Sequence, residues 1–311
     1  MKSYQALRTS AAWIDLSARG KIRVTGEDRA RLLHAMTTND IQHMQPGDGL
    51  YAFFLNAQGR ILADAHIYHL GESFLLDTEP ETAGKVLQHL DKYIIADDVT
   101  LEDQTAIWEA VGIEGPAAEE AVEALGLPAP AVDYHVANWE NGFVARTAAT
   151  GPGGFRVLFP VAERAALIET VTTAGIPEAD AEAARTVRIE NGRPRYGEDI
   201  AERYLTQETQ QMHSVSFTKG CYLGQEIVER VRSRAQVHRH LMPVRIRSTQ
   251  APASGTKLKS DGKDAAEITS SAYSPALGEV AALAYVRTDY QAPKTELTVD
   301  ATEPPVTAYI P

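Results

Sequence analysis

Along the first hundred residues the apolar positions switch between the two-residue period of strands and the three-to-four-residue period of helices. Ile22 and Val24 flank Arg23 in a strand over 21–24. Thr25-Gly26-Glu27-Asp28 then turns the chain into a helix over 28–36 with Leu32, Leu33 and Met36 on one side. The apolar run 51–55, the turn Asn56-Ala57-Gln58-Gly59 and the alternating stretch 60–69 predict a hairpin. A strand over 73–77, a helix over 79–93 facing inward through Val86, Leu87 and Leu90, and a strand over 99–103 close the unit.

A similar order then recurs. A strand over 107–113 leads to a helix over 116–125, a hairpin of 134–138 with 142–146, a strand over 155–159 and a helix over 161–173. The two halves are not visibly alike in sequence, so the repeat rests on pattern alone. It predicts a duplicated, ferredoxin-like α+β unit, the first copy covering about 20–105. A further helix over 179–191 stops at Asn191-Gly192, and 215–218 reads as a strand. Beyond His240 short strands over 241–246, 267–269 and 281–286 are separated by Ala-Pro-Ala-Ser-Gly and Ser-Asp-Gly-Lys-Asp turns. With no amphipathic helix there, a small β-barrel is expected. The chain thus divides into an α+β region, 1–238, and a C-terminal β-barrel, 239–311.

Composition narrows the function classes. No apolar run reaches the roughly 18 residues of a membrane span, and the first residues lack the apolar stretch of a secretory signal. With a single cysteine as well, the cytoplasm is the expected compartment. A formal charge of −12 (30 Lys and Arg against 42 Asp and Glu) argues against a general nucleic-acid binder. The stretch from Arg230 to Arg247 nevertheless holds no acid. On a strand, Arg230, Arg232 and Arg234 would share one face, either as a solvated basic strand or as an anion-recognition stripe. His66 and His69, three apart on a strand, make a poor metal pair, and no phosphate loop, zinc motif or nucleophile elbow is present.

The one thiol, Cys221, sits in Lys219-Gly220-Cys221-Tyr222-Leu223-Gly224-Gln225-Glu226. It has no second Cys for a disulfide, and the nearby Lys219 would favour a thiolate. A buried, inert cysteine is the competing reading. This octapeptide resembles the signature of the folate-binding YgfZ proteins, a branch of the superfamily of the glycine cleavage T-protein, a tetrahydrofolate-dependent aminomethyltransferase. Three further passages resemble that superfamily. The opening runs from Trp13 to Thr38-Asn39-Asp40-Ile41, and the second passage is Asn56-Ala57-Gln58-Gly59-Arg60-Ile61-Leu62-Ala63-Asp64. In the transferases the latter ends in two aspartates, one the catalytic acid/base. Here Ala63 replaces the first, and Arg60 stands where a second glycine is usual. The third passage, 185–192, leads to Tyr196-Gly197-Glu198-Asp199-Ile200.

What the resemblance implies is a tetrahydrofolate site drawing on Glu190, Asn39, Arg188, Tyr196 and Gln225, with Asp64, Cys221 and Lys219 as the reactive groups. A carboxylate such as Glu190 suits the pterin edge, because adjacent ring N–H donors can be accepted by its two oxygens. At a helix C-terminus it opposes the dipole, so something else must stabilise it. Arg185 and Arg188 are placed to pair with Glu182 or Glu190.

Three functions follow. The first is a folate-binding accessory protein that supports iron–sulfur cluster assembly or repair in client enzymes, tRNA-modifying ones among them. The second is a folate-dependent one-carbon transferase using Asp64. The third is a non-catalytic protein or RNA interaction module using the arginine stripe.

Overall fold

In the computed structural model, which describes residues 2–234, 237–300, 302 and 304–311, the duplication is visible as two sheets of one design. The chain opens with helix α1 (Lys2–Thr9) and strand β1 (Ala12–Asp15). The first unit follows as β2 (Gly20–Thr25), α2 (Arg29–Met36), β3 (Gly49–Leu55), β4 (Ile61–His69), β5 (Phe74–Thr78), α3 (Ala83–Asp91) and β6 (Thr100–Asp103). The second is β7 (Trp108–Glu114), α4 (Ala118–Ala124), β8 (Val136–Trp139), β9 (Gly142–Ala145), β10 (Gly154–Pro160) and α5 (Arg164–Thr173). Their sheets run β3-β4-β5-β2-β6 and β8-β9-β10-β7-β1. The fifth strand of the second sheet is therefore β1, which precedes the whole duplication.

The turn into the first helix of each unit is the same. Gly26 and Gly115 both have a positive φ, where a side chain is strained, and a Cβ would run into the carbonyl of Asp98 or of Ser10. Two residues later the amides of Asp28 and Ala117 donate to those same carbonyls at 3.1 and 2.9 Å. One glycine per unit thus lets the strand–helix turn lie against the neighbouring fifth strand.

Strand alternation divides the faces. Ile22, Val24, Phe74 and Leu76 pack on Leu33, Val86 and Leu90 of the first unit's helices, and Val111, Ile113, Phe155 and Val157 pack on Val122, Leu167 and Val171 of the second. Each such side chain contributes about 1.5–3 kcal/mol when fully buried. The opposite faces meet each other through Tyr68 and Leu75 against Ala110, Phe143 and Leu158. Helices lie outside and two sheets inside.

Helix α6 (Ala181–Glu190) lies between α1 and the barrel, its first turn capped by Asp180, which accepts from the Ala183 amide at 2.7 Å. Helix α7 (Gln225–Arg234) precedes the barrel. The barrel strands are β11 (Arg239–Ile246), β12 (Lys257–Ser260), β13 (Lys263–Ser274), β14 (Glu279–Arg287), β15 (Glu296–Val299) and β16 (Thr307–Tyr309). They close in the order β11-β14-β13-β12-β15-β16. Buried Asp199 fixes the barrel to the rest: Thr269 and Ser270 donate to it at 2.6 Å each, and Arg188 pairs with its other oxygen.

Two expectations are corrected here. Arg230, Arg232 and Arg234 lie on helix α7, not on a strand. Val228 is buried there and the arginines face solvent, Arg230 pairing with Glu226 and Arg232 with Glu229. Residues 215–218 form no strand but an irregular passage into Lys219.

Candidate functional site

A cavity of about 580 Å³ opens where the two sheets, the start of α6 and the segment 193–198 converge. Its walls draw on Asp15 and Arg19 before the first unit, on Tyr51, Asp64 and His66 from β3 and β4, and on Arg156 from β10. One stripe of α6, Ala181, Ala184, Arg185 and Arg188, faces it at helical spacing.

Asp64 is the most exceptional group in it. Its Oδ2 accepts from the Tyr51 hydroxyl at 2.6 Å, while its Oδ1 is buried without a partner among the described residues. Burial and the nearby Glu79 carboxylate push its pKa up to about 7, against the opposing pull of the Tyr51 hydrogen bond and of Arg19 and Arg195. A carboxyl poised near neutrality, with one oxygen unpartnered, on a residue that lines a cavity can give or take a proton there. Neighbouring Ala63 points the other way, into the core under the outer helices. Arg60 reaches the Arg203 carbonyl at 2.8 Å and does not line the cavity. Both departures from the transferase pattern are therefore off the cavity surface.

Behind Asp64 runs an ion network. Asp77 accepts from Arg19 Nε at 2.6 Å and from Arg156, and Glu79 pairs with Arg19 and, at 2.9 Å, with Arg195. The two arginines hold the buried Asp77 carboxyl well below the usual carboxylate range against the cost of its burial. His66 is pushed well below its ordinary pKa by burial and by Arg156, so it is neutral. Tyr51, His213 and Tyr134 form a run of ring faces, with Tyr51–His213 centroids 5.5 Å and Tyr134–His213 centroids 6.2 Å apart.

The residues singled out from sequence fall in three places. Asp64 and Arg188 line the cavity, Arg188 with its guanidinium held by Glu198, Asp199 and the Arg193 carbonyl. Arg185 pairs with Glu198, so neither arginine takes the expected Glu182 or Glu190. Asn39 stands behind the wall. Its amide donates to the carbonyls of Tyr51 (2.9 Å) and His213 (3.0 Å), positioning two lining residues. Tyr196 is likewise a support, donating to the Leu62 carbonyl at 2.5 Å.

Glu190 is elsewhere. It lies on the face of α6 turned to α1, accepting from Tyr4 at 2.5 Å and from Arg8, beside a separate depression of about 140 Å³. Arg8 and Tyr4 are what stabilise a glutamate at that helix end. Cys221 is exposed, and it, Lys219 and Gln225 are absent from the cavity wall. Lys219 is buried, its ammonium donating to the carbonyls of His34, Thr37 (2.7 Å) and Asn39 (2.8 Å) at the end of α2. Burial lowers its pKa to about 7. Its contacts tie the octapeptide to α2 and are not with the thiol. The basic stripe is dispersed as well: Arg239 pairs with Glu208, Arg247 with Glu296, and Arg245 reaches the Glu190 carbonyl.

Arg19, Tyr51, Glu79, Tyr134, Arg156, Arg193 and His213 were not singled out by the sequence reading. Of these only Arg156 carried a signal, a charge at an inward-facing strand position like that of Asp77; the others lie outside the strands or, as Tyr51, are uncharged. Among the described residues no group of His, Cys, Asp and Glu could hold a metal ion, and no helix is long and apolar enough to cross a membrane.

Known proteins are similar to this chain in sequence and in fold. The aminomethyltransferase of Rubrobacter xylanophilus is 30% identical over 292 residues, covering 91% of this chain and 78% of that protein. That of a Nostoc species is 28% identical over 302 residues, covering 92% and 79%. The crystal structure of glycine cleavage system aminomethyltransferase T from Bartonella henselae has the same fold. Its TM-score is 0.91 over 99% of this chain and 87% of that one, at 20% identity. The chain matches the GCVT N-terminal domain over residues 1–219 and the glycine cleavage T-protein C-terminal barrel domain over 239–310. With both domains in order on one chain, the protein belongs to the glycine cleavage T-protein family.

Proposed function

We propose that this protein binds tetrahydrofolate in the central cavity and, as a member of the YgfZ branch, supports iron–sulfur cluster assembly or repair in client enzymes, including tRNA-modifying ones. The observation that carries the folate reading is the unpartnered, buried Oδ1 of Asp64 in a 580 Å³ cavity. That volume lies in the usual range for small-molecule sites. An orphaned acceptor suits a ring N–H, and the Tyr51, His213 and Tyr134 faces suit a flat heterocycle. Arg193 lines the same cavity and pairs with no acid among the described residues, which suits a carboxylate tail. Tetrahydrofolate, when bound, supplies the nitrogens that carry a one-carbon unit. The protein's part is to orient the ring, exclude water and hold a proton at Asp64.

The accessory role rests on the intact octapeptide and on Cys221 being exposed, within reach of a partner protein. Its test is restoration of an iron–sulfur enzyme's activity in cells lacking this protein. Wild type restores it and Cys221→Ser does not; full restoration by Cys221→Ser refutes the thiol's role.

One observation favours a second reading. Asp64, pushed up to about 7, is suited to acid/base work in aminomethyl transfer. That reading predicts methylenetetrahydrofolate release from an aminomethyl donor, lost in Asp64→Asn. No release by a folate-binding wild type removes it.

A further inference from the structure

Among the described residues, two buried polar atoms of cavity-lining side chains lack partners, and they are of opposite kind. Asp64 Oδ1 is an acceptor and Arg156 Nε–H is a donor. Arg156 comes from the second unit, is only 1% exposed, and crosses to the first unit to pair with Asp77. One of its terminal nitrogens is used by that pair and lies 3.4 Å from His66 Nδ1. Its Nε–H is left over. A buried donor without an acceptor costs about as much as a lost hydrogen bond, so it calls for a ligand or water.

The charge balance narrows what that ligand presents. Asp77 already pairs with Arg156 as well as with Arg19, and the carboxylates Asp64 and Glu79 line the same cavity beside Arg19 and Arg195. A phosphate or sulfate would satisfy Arg156 but face those carboxylates and leave Asp64 Oδ1 unmet. A neutral ring carrying both a carbonyl oxygen and N–H groups offers each orphan atom a partner of the right kind.

Resting on the folate reading above, we infer that Arg156 is a specificity-determining residue of this cavity. Its Nε–H reads the ring carbonyl oxygen, so that 4-oxo pteridines are taken and 4-amino pteridines are discriminated against. In a 4-amino analogue the acceptor becomes a donor, and two donors then face each other.

The test is calorimetric titration of tetrahydrofolate and of tetrahydroaminopterin, which carries an amino group in place of the C4 oxygen, into wild type and Arg156→Lys. Lysine keeps a cation for Asp77 and removes the Nε–H. Wild type is expected to bind the 4-oxo compound about 10- to 100-fold more tightly, the cost of one unmade buried hydrogen bond. In Arg156→Lys the two affinities are expected to converge. Equal binding by wild type, a preference for the 4-amino compound, or an unchanged ratio in the variant overturns the role of Arg156 and leaves the folate reading standing. Binding of neither compound by wild type overturns the folate reading itself. If Arg156→Lys does not fold, equal binding or a 4-amino preference in wild type still overturns the role of Arg156.

Discussion

The two sheets share a strand order and a glycine turn, yet their inner faces are chemically unlike. Where the first unit pairs Lys21 with Asp77 across β2 and β5, the matching positions of the second, counted back from Gly26 and Gly115, pair Ala110 with Leu158. Around Lys21 and Asp77 stand Arg19, His66 and Asp64; around Ala110 and Leu158 stand Phe143 and Ala145. At these matched positions the second unit closes its strand pair without charge, although Arg156 and the buried Glu114 lie further along the same face. Burying charges there is costly unless each is paired, and an apolar replacement is often as stable. The network in the first unit is therefore explained by the cavity it borders, with Arg156 as the second unit's one charged contribution to it.

Making the first unit resemble the second should break it. Asp77→Leu, which installs the residue of position 158, leaves Arg156 without its acid and Arg19 with Glu79 alone. The expected loss is about 3–5 kcal/mol in urea unfolding, and a loss below about 1 kcal/mol would mean the network is dispensable.

Asp64→Asn sharpens the comparison through pH. The folded carboxyl titrates near 7, above its unfolded value of about 3.9, so the folded state holds the extra proton between them. Wild-type stability should fall as pH rises from about 4 to above 7, by roughly 2–4 kcal/mol relative to Asp64→Asn. Parallel unfolding profiles of the two proteins across that window would contradict the raised pKa.

Lys219→Met removes three charge-assisted hydrogen bonds at the end of α2, outside both inner faces. A loss of about 2–3 kcal/mol in chemical unfolding is expected, with tetrahydrofolate affinity unchanged. A large drop in affinity would tie the octapeptide to the cavity. Cys221→Ser, at an exposed position, should change stability by less than about 0.5 kcal/mol in thermal unfolding; a larger loss would make the thiol structural.

What the sequence disclosed follows the same division. Both units were legible because each strand buries one apolar face, and each strand–helix turn carries its glycine. The barrel was legible from short strands between Gly- and Pro-rich turns. Helix α7 was not, because three alternating arginines imitate a strand when Val228 is the one buried residue of the segment. Helix α1 and strand β1 escaped notice: they act by completing the second sheet and by meeting Glu190, contacts over a hundred residues apart. Asp64 was singled out through the resemblance, and the structure places it on the cavity wall. Arg19, Glu79 and Arg156 were not, since their significance arises only when two sheets bring them to one cavity.

The most direct test is calorimetric titration of tetrahydrofolate into wild type, Asp64→Ala and Glu190→Ala. Binding by wild type is expected, with a loss of about 10- to 100-fold in Asp64→Ala and near-wild-type affinity in Glu190→Ala. Binding abolished by Glu190→Ala and untouched by Asp64→Ala would contradict that expectation.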